Sequence, residues 1–391
     1  MMKVLLVSTT PGVIDSIATK LAKWLRYKGV EPIVLKYKEA LSPPMGEVES
    51  RELYTIVPSS RIIGGYLREK LQALEVFLSI TKMCKKEGVE LVHAFTALPT
   101  GFAAALHKKL SSMPFVVTVT GKDVEVVGEV GYGYRLDPVN AKLISYALSS
   151  ADFVICPSSY SQRFAIEAGA PWDKSCIIPY AIDVDEQMRH PLSEERESFL
   201  RQRFGLGDDR VVLSLCRLIP RKNVHSLVKA FRRVSVEYGR CKLIVAGRGP
   251  EEGDLKRLVR ELGLTDRVVF AGFVDEGTKY DLMKLADVYV LPSLSDTFAV
   301  SALEAMACGT PIVVTDRVGL AGFLKDGEDV IICKSGEGLV DELADGMLKL
   351  LTDEGLRTKI GERAKERAGE FSYERMSSQV LSVYERVLHN V

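Results

Sequence analysis

The seven cysteines include no C-x-x-C pair, so the chain carries neither the common zinc-ligand spacing nor a disulfide framework. Scattered in this way, they imply reduced thiols in a cytoplasmic protein. Net charge is missing as well. The 52 Lys and Arg stand against 52 Asp and Glu, whereas a nucleic-acid binder usually shows a basic excess. No secretory leader is in view, because only four apolar residues separate Met1-Met2-Lys3 from Ser8-Thr9-Thr10-Pro11-Gly12. A membrane span is lacking too: the charge-free stretch Leu91 to His107 is broken by Pro99 and Gly101 and carries His93. These absences lead us to expect a cytoplasmic protein without a nucleic-acid partner, whose only membrane contact would be peripheral.

What is present is ordinary globular material. At 391 residues, 47% hydrophobic and 27% charged, the chain has enough for two domains of roughly 150 residues or a little more. Short apolar runs recur at Lys3–Val7, Pro32–Lys36, Leu53–Val57, Val89–His93, Phe115–Val119 and Phe153–Pro157, with helical spacing between them, as in Val13–Lys28 and Tyr66–Glu87. A second series follows at Val211–Leu215, Lys242–Ala246, Arg267–Phe270, Val288–Pro292 and Ile312–Thr315. Strands apolar on both faces that alternate with helices predict parallel sheets covered on both sides. The fold class is therefore α/β, with two doubly wound, Rossmann-like domains at residues 1–190 and 205–372. Residues Asp183 to Asp209 read as a linker with a connecting helix, and the segment 373–391 as an amphipathic helix returning to the first domain. Ligands of doubly wound sheets lie beyond the carboxyl ends of the strands, so two such domains are expected to face a cleft.

Local charge is less even than the total. From Arg210 to Val236 there are seven Lys or Arg and no acid. Arg217 and Lys222 lie just past a predicted strand and before a helix, which suits an anionic ligand such as a diphosphate. Lys229, Arg232 and Arg233 read as a solvated helix face. Between Thr297 and Thr315, Glu304 is the only charged side chain. A carboxylate in an apolar helix is costly to bury without a hydrogen-bonding partner, and the vicinal hydroxyls of a ribose would supply two donors; exposure at a sheet edge is the other reading. The loop Ser295–Ala299 would aim backbone N–H groups and a helix N-terminus at phosphate or sugar. The glycine-rich Gly128–Tyr134 segment follows no strand, and reads as a flexible loop whose Tyr132 and Tyr134 offer rings to stack on a ligand.

Arg217 with Lys222 five residues on, followed by Ser293-Leu294-Ser295-Asp296-Thr297-Phe298 and Leu303-Glu304-Ala305-Met306-Ala307-Cys308-Gly309-Thr310-Pro311, resembles family 4 of the retaining glycosyltransferases, of GT-B fold. Further landmarks are Ala246-Gly247-Arg248-Gly249-Pro250-Glu251, Ala271-Gly272-Phe273-Val274, Ala286–Ser293, Ala151–Ser158 and Ile178–Asp183, so the resemblance spans nearly the whole chain. It implies transfer of a sugar from a nucleoside diphosphate sugar to a saccharide, lipid-linked or small-molecule acceptor, without metal or other cofactor. Arg217 and Lys222 would bind the donor diphosphate, Asp296 the sugar hydroxyls and Glu304 the ribose. Backbone groups of Phe298, Ala299 and Val300 would touch sugar or phosphate, Phe273 and Val274 would line the base pocket, and Gly12 would approach the diphosphate. The D-x-D spacing of Asp183 and Asp185 matches a linker landmark of this family rather than a metal site.

The departures from the family pattern are chemical. The first acidic position carries Asp296 where Glu is common, and the first loop reads Gly12-Val13 in place of Gly-Gly. His93-Ala94-Phe95 keeps one imidazole of a His-Ala-His. Thr120 stands where many members place a His, and a hydroxyl is no base near neutral pH. His93, Thr120, Lys122 and Asp123 are the acceptor-side candidates, with a structural histidine the alternative reading of His93. A nucleotide-sugar epimerase of the same fold and a non-catalytic sugar-nucleotide binder are the rival functions.

Overall fold

Residues 1–9, 13–37, 53–56, 68–184, 188 and 190–389 are described by the computed structural model. They divide into two units, one formed by Met1–Ala181 with Tyr373–Val391, the other by Ile182–Ser372.

In the first unit the six apolar runs become β1 (Met2–Ser8), β2 (Val30–Tyr37), β3 (Leu53–Ile56), β4 (Leu91–Phe95), β5 (Phe115–Thr118) and β6 (Phe153–Cys156), joined by a short β7 (Ser175–Ile177), in the order β3-β2-β1-β4-β5-β6-β7. Every pairing is parallel. Strands β4, β5 and β6 are buried at every position, which is why their sequences lack a polar alternation. Helices α1 (Val13–Arg26), α2 (Arg68–Glu87), α3 (Phe102–Ser111), α4 (Pro138–Ser150) and α5 (Ser159–Glu167) connect them. Strand β4 starts two residues later than the apolar run, because Gly88 turns out of α2 at φ +66° and Glu90 N donates to Lys3 O before the ladder begins.

The second unit repeats the theme with β8 (Arg210–Leu215), β9 (Cys241–Ala246), β10 (Val268–Gly272), β11 (Val288–Leu291), β12 (Ile312–Thr315) and β13 (Ile331–Cys333), ordered β10-β9-β8-β11-β12-β13. Its helices are α6 (Glu194–Arg203), α7 (Val224–Glu237), α8 (Glu252–Glu261), α9 (Glu276–Leu285), α10 (Val300–Ala307), α11 (Leu339–Thr352) and α12 (Glu354–Ala368). The chain winds outward from β8 in one direction, then reverses to β11. The diverging carboxyl ends of those two strands leave the crevice in which doubly wound sheets hold ligands.

Helix α6 lies in the stretch read as linker. Ser193 caps it by accepting from Arg196 N, three glutamates occupy its first turn, and Arg201 and Arg203 its last, all in the sense the helix dipole favours. Arg196 then fastens it to α9, with Nε 2.7 Å from Asp281 Oδ2 and Nη2 3.3 Å from Thr278 Oγ1. With Ile182 N donating to Phe371 O at 3.0 Å, the second unit begins at Ile182 rather than 205.

The last helix, α13 (Tyr373–His389), belongs to the first unit. Its Tyr384 hydroxyl lies 2.6 Å from His93 Nδ1, while His93 Nε2 lies 2.7 Å from Thr118 Oγ1 and the ring stacks on Phe95. Both partners are hydroxyls able to donate or accept, so the neutral imidazole is satisfied in either tautomer. His93 is fully enclosed, a structural histidine that joins β4, β5 and α13; this corrects its placement among acceptor-facing residues. Burial pushes its pKa down from 6.5 to about 3. The unfolded chain therefore takes up a proton between those values that the folded chain refuses. The stability is whole above pH 6.5 and is lost as pH falls toward 3, by up to about 1.4 kcal/mol per pH unit. His93→Gln should flatten the pH dependence of urea unfolding between pH 6.5 and 4.5; an unchanged slope would show that other groups set it.

Candidate active site

The loop after β8 is built by contact with the loop after β9. Leu218 N donates to Arg248 O at 3.0 Å. A Cβ on Gly247, whose φ is +133°, would fall 1.9 Å from the carbonyl oxygen of Cys216, and one on Gly249 would fall 2.1 Å from that of Leu218. The Gly-x-Gly-Pro turn is thus a steric requirement of two strand ends lying against each other. Beyond it, Pro220–Lys222 make a single 3-10 turn that ends at Asn223 with φ +52°. That turn faces Arg221 and Lys222 inward, both buried, while Arg217 stays exposed. The Arg217 guanidinium makes no ion pair among the described residues.

Across the crevice, the loop after β11 carries Asp296. Lys222 Nζ pairs with Asp296 Oδ2, and both side chains are buried. Arg221 braces the same loop, with Nη1 2.7 Å from Ser295 O and its own carbonyl accepting from Leu294 N at 2.9 Å. On the far side, Asp296 N donates to Arg317 O and Gly319 N donates to Asp296 O. Burial alone would raise the Asp296 carboxyl; Lys222 and Arg221 outweigh it and hold the group below its usual value. Its Oδ1 accepts from Phe298 N at 3.4 Å and Ala299 N at 3.2 Å. The amides assigned to donor sugar or phosphate are turned onto Asp296 here. Ala299 reaches this geometry at φ +73°, a left-handed conformation that costs a non-glycine residue about 1–2 kcal/mol. The Phe298 ring is buried among Phe323 and Phe371 and serves as an anchor for the loop.

Val300 opens α10, and Glu304 lies one turn further along it. Glu304 Oε1 is 2.8 Å from Lys279 Nζ of α9. Lys279 is absent from the sequence-based candidates, since no spacing ties residues 279 and 304 together and only the packing of α9 beside α10 does. At the end of β10, Phe273 is held out into solvent at 73% exposure, with Val274 half-buried beside it. Gly247 N donates to Gly272 O at 2.7 Å, so the ends of β8, β9 and β10 form one continuous rim.

In the first unit, Thr120, Lys122 and Asp123 follow β5. The Asp123 carboxylate is buried and accepts from Ala97 N at 2.7 Å, Gly121 N at 2.8 Å and Thr120 N at 3.0 Å. Burial raises its pKa against those donors. The group clasps the loop to the turn after β4 and is not presented outward, which corrects its listing beside Thr120 and Lys122. Lys122 is exposed, with Nζ 4.5 Å over the Tyr134 ring. The Gly128–Tyr134 segment is tied down: Val127 bridges Tyr132, Tyr134 N donates to Lys122 O at 2.7 Å, and a Cβ on Gly133 would lie 2.3 Å from Glu125 O. The expected flexible loop is a braced one. Gly12, Pro11 and Asp185 lie outside the described residues.

Comparison with known proteins adds identity to this geometry. Residues 196–367 match the family Glycosyl transferases group 1, and residues 15–186 match Glycosyltransferase Family 4. An uncharacterized glycosyltransferase of Methanocaldococcus jannaschii is 30% identical over 294 residues, covering 73% of this chain and 72% of the relative. The N-acetyl-alpha-D-glucosaminyl L-malate synthase of Bacillus anthracis is 27% identical over 315 residues, covering 80% and 78%. Among solved structures, sucrose-phosphate synthase from Thermosynechococcus elongatus superposes with a TM-score of 0.81 at 19% identity, over 100% of both chains. Anabaena HepE in complex with UDP-glucose superposes at 0.76 and 21% identity, over 99% of this chain and 100% of that one. Matched in both halves by the two family descriptions and sharing the fold of these enzymes from end to end, the chain belongs to glycosyltransferase family 4 and is a glycosyltransferase of GT-B fold.

Proposed function

We propose that the chain transfers a sugar from a nucleoside diphosphate sugar, with retention of configuration and without metal. The observation that carries this reading is the Lys222–Asp296 pair at the switch point of the second sheet, with Arg217 exposed on the same loop. An ammonium shared between Asp296 and a diphosphate oxygen meets the charge that develops on the leaving nucleotide, the electrostatic contribution expected of such a transfer. Asp296, kept ionised, is an acceptor for sugar hydroxyls. Glu304 accepts the ribose hydroxyls, and Phe273 and Val274 flank the base. On the acceptor side, His93 is enclosed, Asp123 is committed to backbone amides and Thr120 is not a base near neutral pH. A leaving diphosphate oxygen is then the destination of the acceptor's proton. The UDP-glucose complex of HepE makes a uridine diphosphate sugar the first donor to try.

Lys222→Ala and Glu304→Gln should each lower transfer by roughly 10²–10³, measured with the donor that calorimetry selects; Glu304→Gln should leave the far-ultraviolet dichroism unchanged, and Lys222→Ala should also lower the Tm, because Asp296 loses its buried partner. Near-normal turnover in both variants overturns the site. Product formed from donor alone, with no acceptor, would point instead to an epimerase, and tight donor binding without transfer to any acceptor to a sugar-nucleotide sensor.

A second observation favours an acceptor carried at a lipid surface. On α2, Leu74 and Leu78 are 52% and 59% exposed and continue into exposed Lys82 and Lys85 along one helical stripe, the composition of an interfacial helix face. The protein should float with phosphatidylglycerol vesicles in a salt-sensitive manner, and Leu74→Glu with Leu78→Glu should abolish this. Flotation that ignores both salt and the double substitution would sink the lipid reading. Among the described residues no helix is long and apolar enough to cross a membrane.

A further inference from the structure

Glu304 does not stand alone in its helix. Its carboxylate is 15% exposed and the Lys279 ammonium 18%, with 2.8 Å between Oε1 and Nζ. Shielded from water to that degree, the attraction is screened less than in a surface pair. The lysine has little freedom to leave. Its Nζ lies 4.2 Å over the Tyr280 ring and 3.8 Å from Glu276 Oε1, so Glu304 is its close partner and the others box it in. Helix α9 is itself fixed. Asp275 caps it by accepting from Thr278 N at 2.9 Å and Thr278 Oγ1 at 2.8 Å, and Arg196 ties Asp281 and Thr278 to α6.

The same short segment delivers two things. Phe273 and Val274, at the end of β10, immediately precede the cap residue Asp275, and Lys279 follows one turn into the helix. Whatever sets the position of the Phe273-Val274 rim therefore also sets the ammonium that grips Glu304. A carboxylate offers about four lone-pair directions. One ammonium on Oε1 takes one of these and orients the group, and a carboxylate can accept from ligand hydroxyls as well.

We propose that Lys279 is a positioning residue for Glu304, and that the ion pair, rather than the glutamate alone, discriminates a ribose from a deoxyribose in the donor nucleotide. This rests on the reading of Glu304 as the ribose acceptor. Without the lysine, the carboxylate loses the ammonium that orients it toward the 2′-hydroxyl and meets that hydroxyl less often, while contacts to base and diphosphate are untouched. The effect belongs to the 2′-hydroxyl and not to nucleotide binding in general. A lysine that merely staples α9 to α10 would leave no such signature.

The test is calorimetric titration of the intact protein with the nucleoside diphosphate that binds best among the uridine, guanosine and adenosine forms, and with its 2′-deoxy analogue. The wild type should prefer the ribonucleotide by about ten-fold or more, the worth of one charge-assisted hydrogen bond. Lys279→Met should lose most of that preference by weakening the ribonucleotide while leaving the deoxynucleotide nearly unchanged, and Lys279→Arg should restore it. Equal weakening of both ligands in Lys279→Met, together with a lowered Tm, would make the lysine a staple and overturn the inference. Preference intact in Lys279→Met but abolished in Glu304→Gln would mean that Glu304 acts unaided, which also overturns it. Preference intact in Glu304→Gln would instead bring down the ribose assignment beneath it.

Discussion

An ion enclosed in protein loses several kcal/mol of hydration unless an opposite charge is enclosed with it. Lys222 and Asp296 arrive from strand ends 74 positions apart and are both buried, so each loop is tenable only in the presence of the other. The rest of the second unit's rim follows from that constraint. Arg221 can turn inward because the Ser295 carbonyl meets it. The β11 loop can tighten around Asp296 because its carboxylate stays charged and collects the amides of Phe298 and Ala299. Removing one partner leaves an uncompensated charge, and in that sense the proposed binding surface and the local fold are one interaction.

Much of the architecture is legible in the sequence because strands buried on both faces read as unbroken apolar runs. Each of the eleven apolar runs carries a strand; the other two strands, β7 and β13, are three-residue edge strands too short for any periodicity to show. Glu304 and Lys222 are visible through their setting, a lone carboxylate in an apolar helix and a cation in an acid-free segment. Partnerships are less visible. His93 meets Tyr384 across 291 positions and Lys279 meets Glu304 across 25 between separate helices, distances at which spacing carries no information. Asp123 looked like a chemical group because it is polar after a strand; only the three amides converging on it identify a clasp.

Ala299 and the departure at Thr120 acquire physical weight once placed. Ala299 adopts a left-handed conformation open to glycine at no steric cost, and the buried Phe298 and Phe371 rings, with the half-buried Phe323, pack the loop that imposes it. Strain held by aromatic packing beside an ionised carboxylate is a usual feature of sites whose groups must be in place before the ligand arrives. Thr120 follows the opposite logic. Its hydroxyl lies 3.4 Å from Asp123 Oδ1, so the position contributes to loop order.

The return of α13 to the first unit has a consequence for how the protein is made. Synthesis runs from the amino end, and domains generally fold as they emerge. The first unit cannot finish in that way, because Tyr384, the hydroxyl that completes His93, is translated after the whole of Ile182–Ser372. The second unit, contiguous in the chain, is free to fold first. The amino-terminal sheet meanwhile waits on the ribosome with its helix α13 flank uncovered, and the helix that closes over α1 and His93 is translated only after the whole second unit.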